Sequence, residues 1–201
     1  MKKESLYNGA LTREQFLFRE MRITAGLLAA GYTEEAAVQR IAEENLFQYP
    51  TERMLKNMAH VCMRRLRALD DADLVAAIAS RTSEEARQLC LYAMIRQSRL
   101  VRDFMVTVIG RKYNMQDFHI SRTDILDFLF QLQEQDDGAA AWSPSTVAKI
   151  RQVLARILVE TGYLSDIKST ALQPVLLFPR LETVIRQRGE TGILPAFCCL
   201  D

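Results

Sequence analysis

Apolar residues recur every three to four positions along most of this chain, the spacing that puts side chains on one face of an α-helix. Several of these helices announce their starts, because a Ser, Thr or Asp oxygen can take up a backbone N–H that the first turn leaves without a partner. Thr33-Glu34-Glu35 opens one helix after Gly31-Tyr32. Thr51-Glu52, behind Pro50, opens the next, to about Leu69, and Asp70-Asp71-Ala72-Asp73 starts a short one. Thr82-Ser83-Glu84-Glu85 has the T-x-x-E form of a capping box and opens the longest, to about Lys112. That stretch is apolar on most faces (Leu89, Met94, Ile95, Leu100, Val101, Phe104, Val108 and Ile109 among others), which predicts a central strut buried by its neighbours. Ser121-Arg122-Thr123-Asp124 begins a further helix that ends in the acidic turn Glu134 to Gly138, and Ser143-Pro144 begins another with a proline where its missing N–H costs nothing. After Thr161-Gly162-Tyr163 the period changes. Pro174 and the run Val175-Leu176-Leu177-Phe178 suit extended chain or a small hairpin, and Pro179 opens a last helix to about Arg188. The elements predict an all-α fold of two packed helical lobes, 1–114 and 115–201, around the long central helix. The boundary follows Gly110-Arg111-Lys112-Tyr113-Asn114 and is placed to within about 20 residues.

Composition narrows the class. The 201 residues are 49% apolar and 25% charged, with a formal net charge of +1, which suits a folded chain and excludes a disordered one. The longest run without a charge is 11 residues, as in Ile23 to Thr33, short of the roughly 20 that a membrane-spanning helix needs. Met1-Lys2-Lys3-Glu4-Ser5-Leu6 has no apolar stretch behind it, so no secretory signal is expected and the cytoplasm is the expected compartment. Cysteine usage agrees. Cys62 and Cys90 fall within helices, Cys198 and Cys199 are adjacent, and neither His60 nor His119 stands at ligand spacing from a Cys pair, so reduced core thiols are expected rather than zinc.

The near-zero net charge hides a segregation along the chain. Thr51 to Arg67 carries Arg53, Lys56, Arg64, Arg65 and Arg67 against Glu52 alone. Arg53, Lys56, His60, Arg64 and Arg67 share one helix face, while Leu55, Met58, Cys62, Leu66 and Leu69 share another, so a cationic ridge is expected opposite a buried side. Arg96, Arg99, Arg102, Arg111 and Lys112 stand against Asp103, and Ser143 to Leu158 carries Lys149, Arg151 and Arg156 with no acid. The compensating acids lie in Asp117 to Asp137 and Thr33 to Phe47. For any one Arg, pairing with a carboxylate on a neighbouring helix is as good an explanation as ligand binding. For the set, three acid-poor segments folding onto one groove would bind phosphates by counterion release, and the excess of Arg over Lys favours bidentate phosphate contacts.

Catalytic patterns are absent: no G-x-S-x-G, no glycine-rich phosphate loop and no H-E-x-x-H occur. Asp124 and Asp127 read as a solvated or Arg-paired face rather than an acid/base pair. The segment Trp142 to Leu164 is similar to the recognition helix of winged helix-turn-helix modules, in which Ser145, Thr146, Lys149 and Arg151 would face phosphate or groove. It reads equally well as a capped amphipathic helix with Ile150, Val153, Leu154, Ile157 and Leu158 in the core. The candidate nucleic-acid-binding residues are therefore Arg53, Lys56, Arg64, Arg67, Arg96, Arg99, Arg102, Arg111, Lys112, Ser145, Thr146, Lys149, Arg151 and Arg156, with no catalytic or metal site and no cofactor.

Asn8-Gly9-Ala10-Leu11, Arg99 to Phe104, Trp142-Ser143-Pro144-Ser145-Thr146, Arg156-Ile157-Leu158 with Gly162-Tyr163-Leu164, and Leu172-Gln173-Pro174-Val175 form an ordered set spanning nearly the whole chain. With that set the chain resembles the BrxA family, small accessory proteins of bacterial BREX phage-defence systems. The resemblance implies a cytoplasmic helical protein without a catalytic centre, likened to the RNA-binding factor NusB, acting beside other BREX components and contacting DNA. A membrane label also attached to the family conflicts with the hydropathy above. Three readings follow: a double-stranded DNA-binding subunit with little sequence readout, a protein–protein adaptor within BREX, or a NusB-like RNA binder. No membrane partner or small-molecule substrate is expected.

Overall fold

The computed structural model describes residues 7–198; the N-terminal basic stretch and Cys199 lie outside the described residues. The chain folds as two compact units, residues 16–97 and residue 98 onward, the latter joined by the segment that precedes Phe16. The division thus falls at Gln97–Ser98, where the sequence suggested a point nearer 115.

The 16–97 unit holds α1 (Phe18–Ala29), α2 (Glu34–Glu43), α3 (Glu52–Leu69), α4 (Ala72–Ser80) and α5 (Ser83–Gln97). Four of the starts are capped as their sequences require. Thr33, Thr51 and Thr82 accept through Oγ1 from the N–H groups of Ala36, Met54 and Glu85, and Asp71 accepts from Leu74. Helix α5 is buried from Ala86 through Ile95 almost without a break and packs against α1, α3 and α4. Helix α1 has no such announcement: its N-cap, Leu17, sits in the left-handed region (φ 59°) and makes no side-chain cap. Its burial of Met21, Thr24 and Ala25 against the unit, rather than any local start signal, makes it helical.

The expected single strut to Lys112 is interrupted. Ser98 leaves the helical region (φ −119°, ψ 111°), and its side chain accepts from the N–H of Val101 to cap α6 (Arg99–Phe104). Serine competes for backbone groups in this way, and apolar residues on both sides of it hide the break from any reading of periodicity. A π-helical turn, Met105–Gly110, and α7 (Arg111–Asn114) complete the run. The π turn packs on a C-terminal 3₁₀ segment, Thr191–Phe197, and the absence of a Cβ at Gly110 lets Pro195 approach.

The second unit continues with α8 (Arg122–Gln135), α9 (Asp137–Ala140), α10 (Pro144–Glu160) and α11 (Pro179–Gln187), and α10 packs on α8 and on the 3₁₀ turn Gly9–Thr12. After α10 the chain is non-helical to Phe178, as expected; of the two forms expected there, extended chain or a small hairpin, no named strand occurs among the described residues. Instead the chain makes one antiparallel bridge between Ala171 and His119, with Ile120 N–H donating to Thr170 O (2.8 Å) and Leu172 N–H to Phe118 O (2.9 Å). Pro174 and Pro179 lack the N–H groups that a continuing ladder would need. The all-α reading stands, but the wing of a winged helix is missing.

Helix α8 is anchored at its start. Ser121 Oγ accepts from the N–H of Asp124, and the Asp124 carboxylate accepts in return from Ser121 N–H (2.6 Å), a reciprocal capping box. Lys112, mostly buried, lies 2.8 Å from Asp117 and 3.4 Å from Asp124. Desolvation alone would raise the Asp124 carboxyl, but the Ser121 bonds and Lys112 outweigh it and hold it below the ordinary 3.8; the Lys112 hydrogen bond likewise lowers Asp117.

Two outcomes are expected. Gly110→Ala places a Cβ 2.7 Å from Pro195 Cβ and 2.9 Å from its backbone, and overpacking of that kind destabilises by about 1–3 kcal/mol. Gly26→Ala, whose Cβ would meet only Ala79 at 4.0 Å inside α1, stabilises by about 0.5–1 kcal/mol. Thermal unfolding of the two variants should therefore shift in opposite directions. Lys112→Met costs about 1 kcal/mol or less near neutrality. Carboxyls with lowered pKa contribute their stability above the unfolded value and lose it as pH falls through the folded one. The gap between wild type and Lys112→Met should accordingly close below pH 3.8. Parallel melting-temperature curves down to that range would rule out the linkage.

Candidate nucleic-acid interface

Helix α10 is two-sided. Ser143 caps it, with Oγ accepting from Thr146 N–H (3.2 Å), and Pro144 occupies its first position. Val147, Ile150, Val153, Leu154, Ile157 and Leu158 are buried, which turns Ser145, Ala148, Lys149, Gln152 and Ala155 to the other side at helical spacing. Those residues, with Arg151, form one wall of a cleft of about 620 Å³. Ser121 and Arg122 at the start of α8 and the 164–170 segment, including Lys168, Ser169 and Thr170, form the remainder.

Four cations, Arg122, Lys149, Arg151 and Lys168, thus line one cleft of the second unit, and no Asp or Glu is among its lining residues. Asp166 stands in the same segment: its Oδ1 accepts from the N–H groups of Lys168 (2.7 Å) and Ser169 (3.0 Å), which with the charge of Lys168 hold its carboxyl below the ordinary 3.8, so that Lys168 is partly offset. Lys149 Nζ donates to Gln152 Oε1 at 3.3 Å, a neutral partner that leaves the lysine charge uncompensated. Ser145 lies in the first turn of α10, where the helix dipole adds positive potential, whereas the start of α8 is already occupied by the Asp124 carboxylate.

The other candidates have different surroundings. Arg53, Lys56, His60, Arg64 and Arg67 are all exposed along α3, so the ridge exists, on the 16–97 unit. Part of its charge is neutralised: Lys56 lies 2.6 Å from Glu52, and Arg67 engages both carboxylate oxygens of Glu34, holding that acid below its usual range. Arg96 donates to Leu69 O (3.3 Å) at the end of α3 and lies over the Tyr92 ring. In the second unit Arg99 pairs with Asp103 at 3.1 Å, and Tyr7 donates to the same carboxylate. Arg102 and Arg111 are exposed, Lys112 is held by Asp117 and Asp124, and Arg156 donates to Gln15 (2.9 Å). Thr146 turns toward Gly9, where a Cβ would touch its methyl at 3.6 Å.

The structure therefore gathers Ser145, Lys149 and Arg151 and adds two residues that the sequence reading passed over. Arg122 stands alone in a strongly acidic segment and Lys168 alone in an irregular one, so a count of charge along the chain averages both away. The helix-starting position of Arg122, beside a cap residue, was the available signal.

Comparison with known proteins places the chain. The BrxA family model matches residues 5–189. A Bacillus cereus (strain H3081.97) protein named "BREX protein BrxA" is 32% identical over 168 residues, 84% of each chain. A protein of the same name from Paramagnetospirillum magneticum (strain ATCC 700264 / AMB-1) is 28% identical over 175 residues, 87% of each. A crystal structure of an uncharacterized protein from Magnetospirillum magneticum superimposes with a TM-score of 0.82 at 26% identity, covering 96% of this chain and 98% of that one. With the family model spanning all but its two ends, the chain belongs to the BrxA family.

Proposed function

We propose that this chain is a non-enzymatic, DNA-binding accessory subunit of a BREX phage-defence system, and that it holds the phosphate backbone of duplex DNA at the α10 cleft with little reading of base sequence. The BREX assignment follows from the names of its relatives. The observation that carries the DNA assignment is the collection of four cations and several hydroxyls in one cleft without a lining carboxylate. Each lysine or arginine that neutralises a phosphate releases condensed counterions, which supplies affinity independent of sequence. Arg122 and Arg151 can grip phosphate oxygens in bidentate fashion, and Ser145 offers a hydroxyl near the start of α10. Contacts to phosphate fix register and orientation but carry no base information.

A second role, as an adaptor to another BREX subunit, is favoured by Met115 and Phe118, which are 66% and 52% exposed on either side of Asp117. The two roles are compatible. No helix among the described residues is long and apolar enough to cross a membrane, in keeping with a cytoplasmic site of action.

Four neutralised phosphates give log K against log salt a slope of roughly −3.6, a loss of about 150-fold between roughly 50 and 200 mM salt. A gel shift on a short duplex should show that slope. Arg122→Glu, Lys149→Glu and Arg151→Glu combined should flatten it to roughly −1 and abolish the shift at physiological salt. The same shift from a triple variant that melts like wild type would exclude the cleft as the DNA site, and preference for structured or single-stranded RNA in competition would replace DNA as the ligand.

A further inference from the structure

The cleft is larger and more apolar than phosphate binding requires. A phosphate group displaces only a few water volumes of about 30 Å³ each, whereas the cleft measures about 620 Å³. That volume lies within the roughly 300–1,000 Å³ typical of sites that bury a whole small ligand. Its lining is also divided by chemistry. The accessible aliphatic surface comes from the half-exposed Ile167 and from Ala148 and Ala155 on the α10 wall, while Ile120, Ile125 and Leu164, each no more than 5% exposed, add little. The four cations stand around this surface, and Gln152 offers an amide that can both donate and accept.

A ligand that matches both parts has a flat, weakly hydrated body with polar edges and an anionic tail. We propose that the cleft takes a complete nucleotide, with its phosphate among Arg122, Lys149, Arg151 and Lys168 and its base against Ile167, Ala148 and Ala155. The inference rests on the phosphate reading of the same cleft and adds what lies beyond the phosphate. A base stacked inside a duplex cannot enter, so the nucleotide is either free in solution or an unstacked one at the end of a strand. Burial of the base removes apolar surface from water on both partners, a gain that inorganic phosphate cannot make.

The test is titration calorimetry of the full chain with adenosine monophosphate and with inorganic phosphate. The monophosphate should bind at least about tenfold more tightly, a difference of about 1.4 kcal/mol. Ala155→Phe fills the cleft while retaining all four cations, and Ala148→Phe does so from a more exposed position should the first variant fold poorly. Either should erase the preference and leave the affinity for phosphate within about threefold. A duplex with a single-stranded overhang that binds more tightly than its blunt counterpart, and is competed by the monophosphate, identifies a strand end as the source. Monophosphate binding without an overhang preference identifies the free nucleotide. Equal affinity for monophosphate and phosphate, or unchanged nucleotide binding in both Phe variants, overturns the inference. Blunt-duplex binding that persists in that case shows that the phosphate reading survives on its own, while its loss in folded wild type removes that reading too.

Discussion

The division of α10 into a buried apolar face and a polar face governs the second unit. Val147, Ile150, Val153, Leu154, Ile157 and Leu158 are each 5% exposed or less. Burying a side chain of this size is worth about 1.5–3 kcal/mol relative to leaving it in water. Like charges a few ångströms apart in a solvated cleft repel by about 1 kcal/mol per pair. The apolar face therefore outweighs the repulsion that comes from placing Lys149 and Arg151 beside Arg122 and Lys168, and the helix cannot rotate to relieve it without exposing its core side. A cationic cleft is held open by hydrophobic burial on its far side.

Much of the arginine content has a different explanation from the one its abundance first invites. Arg22 donates to Ala79 O (2.9 Å) at the end of α4, and Arg96 donates to Leu69 O at the end of α3. Arg19 donates to Phe47 O (3.1 Å), and Arg65, 1% exposed, donates to Phe16 O (2.9 Å). A guanidinium carries several donors in a fixed fork and so can satisfy carbonyls that helix ends and turns leave open. In the 16–97 unit, arginine serves the backbone as much as any polyanion. The excess of Arg over Lys is thus weaker support for phosphate binding than the composition implied, and the case for a ligand passes to the positions where cations gather without carboxylates.

Helix starts were readable because an N-cap is a local device: the oxygen of Thr33, Thr51, Asp71 or Ser143 acts within three residues, and the sequence shows both ends of the bond. Features set by tertiary contact were not. Helix α1 begins at a left-handed leucine with no side-chain cap, the break at Ser98 is concealed by apolar residues on both sides, and the π turn ends at a Gly110 packed closely on the distant Pro195. The same holds for the site. Ser145, Lys149 and Arg151 could be proposed from α10 alone, whereas Arg122 and Lys168 join them only because α8 and the 164–170 segment fold against that helix.

Helix α8 shows how a segment of acidic composition can border a basic site. Its first turn presents Arg122 and Ile125 to the cleft, while Asp124, Asp127, Phe128 and Gln131 line a separate depression with Arg111 and Lys112. The capping box holds Asp124 to Ser121, and Lys112 lies within ion-pair distance of both Asp124 and Asp117, so it offsets part of the charge of the two acids. Opposite signs on two sides of one helix form a local dipole across the unit. The reach of such a field is about 8 Å at physiological ionic strength. The Lys112 cluster therefore borders the cleft without lining it: Lys112 and the capping-box Asp124 both line the other depression, while Arg122 on the same helix turn lines the cleft.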